Sequence, residues 1–284
     1  MNGAIVINKP KGMTSRDVVN RLNRLLATKE IGHIGTLDPM ATGVLVCLVG
    51  RATKLSEILM NHEKEYIATF KLGVLTDTLD VTGQVLKEEK VNVNKSVLIH
   101  TLNNFVGTYE QEVPIYSAIK VAGKKLYDYA RNNEAVVLPK KTVTIEYIKL
   151  LKIKGDIVTI KTKVSKGTYI RSLVRDIGVS LGTHGTLTAL ERTSLGNFSL
   201  KEATSLEAVS ENNYHLFSIE EILKNYPHEE VDAALLFKIS NGQKLPKKIK
   251  DYLLFTAAGQ AIALYQKDDQ ALGHIKLAVM FYIK

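Results

Sequence analysis

Apolar positions along this chain recur with two periods, alternation for strands and three-to-four spacing for helices, and turn residues punctuate them. Residues 4–7 read as a short strand and 8–12 as a turn. Thr14 to Asp17 resembles a capping box that opens a helix, with Val18, Leu22, Leu25 and Leu26 on one face. An unbroken apolar run at 44–49 reads as a strand, 52–60 as a helix and 65–72 as a strand. Residues 76–83 form a polar turn and 96–105 a helix. Two strands, 145–153 and 157–164, are joined by a Lys154-Gly155-Asp156 hairpin signal. A helix is predicted over 170–181 with Gly182 as its C-cap. Residues 201–228 are polar and weakly patterned. Short strand-like runs then return at 252–255, 261–265 and 275–281. Strands outnumber helices without strict alternation, so the expected class is α+β with a largely antiparallel sheet.

Composition narrows the function classes. The 284 residues are 45% hydrophobic and 24% charged, a globular profile long enough for one large unit and a small one. No apolar run approaches the roughly eighteen residues of a membrane span. The first twelve residues fit a strand better than a signal or transit peptide. A single cysteine, Cys47, excludes an internal disulfide and a cysteine-based zinc site, and a reducing cytoplasm is the expected location. The net charge of +9 suits a polyanion, nucleic acid before membrane. Residues 229–284 hold eight Lys/Arg against six Asp/Glu, a net of +2, which leaves +7 on residues 1–228. No Walker loop, GxGxxG, HExxH or GxSxG motif is present, and the seven histidines lack metal-ligand spacing. No catalytic metal is expected, and nucleotide-cofactor readings lose ground.

Four clusters remain as candidate chemistry. Residues 32–43, GHIGTLDPMATG, are too crowded with Gly, Thr and Pro for a regular element. Pro39 pushes Asp38 out of the α region, and a loop beside the 44–49 strand presents that carboxylate from a rigid scaffold. His33, a cationisable ring, lies five residues earlier. Taken alone the segment reads first as an ordinary turn, with Asp38 capping or bonding its own backbone. Tyr66 heads a strand and reads either as an aromatic platform with a polar tip or as a core tyrosine. Arg171 sits near a helix start, a poor place for a cation against the helix dipole; it reads as serving a carboxylate or a phosphate or, the commoner case, as a surface arginine. Lys9 and Pro10 lie in a turn, where a solvated lysine is the plain alternative.

These clusters together resemble the TruB-type tRNA pseudouridine synthases. The matching segments are INKPKGMTS at 7–15, GHIGTLDPMATGVL at 32–45, KEYIATFKLG at 64–73, TDTLDVTG at 76–83, VPIYSAIKVAGKKLYDYAR at 113–131 and SKGTYIRSLVRDIG at 165–178. They occur in the family's order across residues 1–196. One departure is Val113, where the family usually has a proline before Pro114.

The resemblance implies a large mixed, mainly antiparallel sheet flanked by helices over residues 1–228. Within it lie a thumb-like segment near 120–137 and a connector near 201–228. It also implies a small β-rich PUA-like RNA-binding domain at 229–284. It implies cofactor-free isomerisation of uridine to pseudouridine at tRNA position 55, by a monomer with no obligate protein partner. Asp38 corresponds to the catalytic aspartate, Arg171 to its ion-pair partner and Tyr66 to the tyrosine stacking on the flipped base. His33 corresponds to the histidine that fills the gap in the T-loop, and Tyr169 to a pocket residue. Lys9 and Pro10 match an N-terminal motif beside the site, Lys9 as support or RNA contact. The basic segment around Lys120 matches the part that closes on the T-arm. Two other classes compete: a non-catalytic RNA-binding module, in which Asp38 is dispensable, and a nucleosidase-like hydrolase of small substrates, which needs no basic surplus.

Overall fold

The structure is a computed structural model, and it describes residues 1–281. The last three residues of the expected small domain, 282–284, lie outside the described residues.

The first half of the chain lays down strands on either side of an acid-bearing loop. Strand β1 (Gly3–Lys9) leads into helix α1 (Ser15–Leu25), whose Thr14 and Asp17 form the expected capping box. The helix buries Val18, Val19 and Leu22 but leaves Leu25 exposed, so its apolar face ends a turn earlier than the spacing predicts. Strand β2 (Ile31–Ile34) and strand β3 (Thr42–Val49) follow. His33 therefore lies on a strand opposite Cys47, and only 35–41 are irregular in the segment read as a loop. Next come a 3-10 turn (Gly50–Leu55), the short helix α2 (Ser56–Met60) and strand β4 (Lys64–Leu72), where a single helix was expected over 52–60. Strands β5 (Val74–Thr76) and β6 (Val85–Glu88) flank the 77–84 turn. Helix α3 (Lys95–Asn104) precedes strand β7 (Gly107–Glu112).

The second half supplies the middle of the sheet. Strands β8 (Lys120–Val121) and β9 (Lys124–Lys125) form a tiny hairpin before helix α4 (Leu126–Arg131). Strands β10 (Lys140–Lys154) and β11 (Ile157–Val164) are the expected hairpin, longer at its start. Helix α5 (Ile170–Ser180) leads to strand β12 (Gly185–Leu195) and the two-residue β13 (Phe198–Ser199). The sheet runs β1-β3-β12-β4-β11-β10-β7, with β2 on β3 and β13 on β12. Within this sheet, among the described residues, only β12 and β3 pair in parallel. This is the expected mixed, mainly antiparallel α+β architecture.

The apolar run at 44–49 is unbroken because β3 is buried on both faces. Leu45, Cys47 and Val49 join the core under α1 and α5, while Val44, Val46 and Leu48 join a second core behind the sheet. The second core also contains Leu254, Leu264 and Val279 from a separate five-stranded sheet. That sheet comprises β14 (His228–Glu230), β15 (Leu245–Pro246), β16 (Tyr252–Ala257), β17 (Gln260–Lys267) and β18 (His274–Met280), with helix α8 (Ala233–Ser240).

Residues 201–228 are more ordered than their weak patterning suggests. They hold helices α6 (Leu206–Ser210) and α7 (Ile219–Leu223), each started by a serine cap. Thr204 and Phe217 exchange backbone hydrogen bonds with the free edge of β1. Val113 has its own effect: its N–H donates to Pro139 O at 3.0 Å, a bond that a proline there would remove.

Gly43 shows how tightly the centre is built. Its φ is +99°, and an added Cβ would lie 2.3 Å from the carbonyl oxygen of Arg192. The Gly43→Ala variant is expected to lose about 2 kcal/mol or more of stability in urea unfolding. An unchanged midpoint would show that the β3–β12 contact yields freely.

Candidate active site

The loop at 35–41 is held from below at almost every residue. Ser15, buried at the start of α1, accepts the Leu37 N–H at 2.9 Å and donates to Leu37 O at 3.2 Å. Pro39 O accepts the Gly12 N–H at 2.8 Å, and Asp38 O accepts the Ala41 N–H at 3.0 Å. Leu37, Met40 and Ala41 point into the core. Thr36 and Pro39 face outward, and between them the Asp38 side chain is 36% exposed.

Arg171 meets that carboxylate from the first turn of α5. Its Nε lies 3.0 Å from Asp38 Oδ2, and its Nη2 donates to Oδ1 at 3.3 Å, a two-point fork. The guanidinium is only 8% exposed. Its other donors reach Thr78 O and Tyr116 O, both at 3.1 Å. Asp80 Oδ2 stands 3.8 Å from Nε, and its side chain is 6% exposed. Asp80 is held in turn by the Thr82 N–H and the Thr78 hydroxyl, each at 2.9 Å. Thus a cation at an unfavourable helix end is satisfied by two carboxylates and two carbonyls.

Asp80 was not singled out from the sequence. A Thr-Asp-rich turn reads as one that bonds its own backbone, and Asp80 does so while also facing Arg171. Asp77 shows a similar double use: it accepts the Thr78 and Gln84 N–H groups and the Tyr116 hydroxyl, tying the 77–84 turn to the 113–117 segment.

The other expected residues distribute unevenly. Tyr66 lies on β4 opposite Thr162 and Arg192, and it joins the apolar cluster that contains Leu37 and Met40. Tyr169 caps the start of α5, its N–H donating to the buried Gln111 side chain at 2.7 Å. Burial raises the Tyr169 phenol pKa. His33 is half-buried, and its Nδ1 is buried without a hydrogen-bond partner. Burial first, then the Arg16 and Arg192 charges, lower its pKa, so the ring is neutral at neutral pH and not the cation its type allows. Pro10 and Lys120 are exposed, Lys120 on the β8–β9 hairpin. Nearby, Lys124 sits over the Tyr129 ring at 4.7 Å and Arg131 over Tyr127 at 5.2 Å.

Lys9 is not the solvated turn lysine that its segment allows. It ends β1 and is fully buried. Its Nζ donates to Pro10 O at 2.9 Å, Met13 O at 2.6 Å and Pro39 O at 3.4 Å. Three acceptors use all three ammonium hydrogens, so Lys9 braces the Asp38 loop from inside. Burial pulls its pKa down to about 8, with Asp38 opposing and Arg192 adding to the fall.

Among the described residues no group of three His, Cys, Asp or Glu could hold a metal ion, and no helix is long and apolar enough to cross a membrane. A cleft of about 660 Å³ lies at the junction of the two sheets, lined by His62, Tyr226 and Tyr252. It contains none of the residues above.

Comparison with known proteins gives a consistent result. Residues 23–170 match the model of the TruB family pseudouridylate synthase N-terminal domain. A tRNA pseudouridine synthase B of Fusobacterium nucleatum is 51% identical over 201 residues, 71% of this chain and 70% of that protein. One of Clostridium tetani is 42% identical over 271 residues, 94% of this chain and 93% of that protein. Among solved structures, a chain of a Cbf5-Nop10-Gar1 complex superposes with a TM-score of 0.76 at 23% identity, covering 98% of this chain and 84% of that one. That likeness concerns the fold.

Lys9 supplies a stability test. Its folded pKa of about 8 lies below the ordinary 10.5, so between these values the unfolded chain holds a proton that the folded chain has lost. Stability from this group therefore rises with pH across that window, by up to about 1.4 kcal/mol per pH unit. Lys9→Met is expected to lack that part of the rise in urea unfolding from pH 8 to 10. A slope equal to that of the unsubstituted chain would show that Lys9 titrates as in the unfolded state.

Proposed function

This chain belongs to the TruB family of pseudouridylate synthases, and we propose that it isomerises uridine 55 in the T-arm of tRNA to pseudouridine with Asp38 as the catalytic carboxylate. The observation that carries the proposal is the Asp38–Arg171 fork: a carboxylate locked on one side by a buried guanidinium and open to solvent on the other. Relatives named as tRNA pseudouridine synthases support tRNA as the substrate. The surplus of positive charge suits such a partner.

In this reaction the C1′–N1 bond of the nucleotide breaks, the base rotates, and C5 bonds to C1′. The proton on C5 leaves and N1 gains one, so the product is an isomer and no cofactor is consumed. A stacked uridine cannot reach a loop-borne carboxylate, so the nucleotide must be extruded at a cost of a few kcal/mol. Asp38 then acts on the extruded nucleotide, at C1′, at the base or at a ribose proton. Arg171 holds its rotamer and balances its charge. Tyr66 stacks on the base, and its phenol is the candidate for removing the C5 proton. A neutral His33 ring can stack and hydrogen-bond in the space the base vacates. Tyr169 lines the pocket. Lys120 and the basic hairpin and helix around it meet phosphates, as part of a thumb near 120–137. Residues 1–228 form the catalytic unit and 229–284 a PUA-like RNA-binding unit. The protein works as a monomer in the cytoplasm.

A T-arm stem-loop without modifications tests the reading. One new pseudouridine in the loop, mapped by chemical labelling without added metal or nucleotide, is the expected product. Binding without isomerisation would make the chain an RNA-binding module. Asp38→Asn is expected to abolish product while the stem-loop Kd stays within about tenfold, or 1.4 kcal/mol; residual turnover near the unsubstituted rate would remove Asp38 from the chemistry. Arg171→Lys is expected to lower the rate by about 100-fold, because a point charge replaces a planar fork. Near-normal turnover would end the role given to Arg171.

A further inference from the structure

One buried cation has no place in the chemistry above. Arg192 lies on β12, in the middle of the sheet, and is 1% exposed. Its main chain pairs with Gly43 on one side and Tyr66 on the other. Its Nε donates to Val44 O at 2.7 Å and its Nη2 to Gly35 O at 2.6 Å. Gly35 and Val44 are the two ends of the segment that presents Asp38. Both acceptors are neutral carbonyls, and no ion pair with a carboxylate accompanies them among the described residues.

A guanidinium buried this deeply without a counter-ion is costly, and an apolar side chain of similar volume would fill the site with less penalty. Its charge also weighs against its neighbours, helping to lower the pKa of Lys9, His33 and Lys64. What only this side chain supplies is a rigid fork that reaches both ends of one loop at once. Gly35 is shaped for it: φ is +68°, and a Cβ there would lie 3.0 Å from the Arg192 Nη1 and from the Leu195 side chain. Gly43 likewise leaves room for the Arg192 main chain.

We propose that Arg192 is a positioning residue for the isomerisation, a clasp that fixes the separation of Gly35 and Val44 and so places Asp38 against Arg171 and the nucleotide. The inference rests on the role proposed for Asp38. It concerns the chemical step and not RNA capture, because Arg192 is 1% exposed.

The test is Arg192→Lys in the full chain, with three readouts: the single-turnover rate on the T-arm stem-loop at saturating protein, the stem-loop Kd, and urea unfolding. Lysine replaces the rigid planar fork with a point charge on a flexible stem. The rate is expected to fall about 100-fold, the penalty of misplacing a reacting group by about 1 Å. The Kd is expected to stay within about threefold and unfolding to remain cooperative. An unchanged rate per folded molecule overturns the proposal, and so does an equal loss of rate and affinity, which would mark a general scaffold role. Should the lysine variant fail to fold, Gly35→Ala presses on the same fork from the loop side. It is expected to lower the rate with the Kd preserved, and an unaltered rate overturns the clasp. An unsubstituted chain that makes no pseudouridine would instead defeat the functional reading itself.

Discussion

The contact between Asp38 and Arg171 joins two residues 133 positions apart, and most of the fold serves to bring them together. Asp38 arrives on the crossing from β2 to β3, and Arg171 on the first turn of α5. These elements meet because β12 enters the sheet between β3 and β4 and packs against α5. Solvent-exposed ion pairs contribute little to stability. Here one partner is buried and the other half-open, so the pair constrains a rotamer more than it stabilises the fold. Thr78 O, Tyr116 O and Asp80 complete the shell of Arg171 and keep the guanidinium from turning away.

Beneath the loop, the sheet carries charge where apolar residues would be more stable. Lys9 is satisfied by carbonyls and reaches Pro39. Lys64 is also buried, and burial pulls its pKa to about 8 while it bonds Met60 O and His62 O. Such groups are affordable because β1 and β3 are packed on both faces, with the five-stranded sheet behind them. The second sheet thus packs behind the strands that flank the Asp38 loop.

Legibility in the sequence followed the range of the interactions. The 44–49 strand, the capping box and the 154–156 hairpin are local patterns, and all were readable. Asp38 stood out through Pro39 and its glycines, and Arg171 through its position at a helix start. Strand β12 was not legible, because bulges near Leu187 and Arg192 break its alternation and Arg192 looks like a surface residue. The burial of Lys9 was not legible for a related reason: only tertiary carbonyls show that its ammonium is enclosed. Asp80 hid in a turn that its own side chain also stabilises. The residues of the site come from separate segments, and they were grouped by the ordered motifs of a family, which neither periodicity nor charge would supply. Connector residues 201–228 looked featureless since their order comes from covering the edge of β1.

The most direct measurement is a crystal structure of the Asp38→Asn variant bound to the T-arm stem-loop, with the position of the target uridine as its readout. The expected result is a uridine turned out of the loop, its ring against Tyr66 and its C1′ within about 4 Å of the residue 38 side chain, the separation of groups poised to react. A uridine still stacked in the loop, or turned out into another pocket with residue 38 remote from it, would contradict the assignment of Asp38.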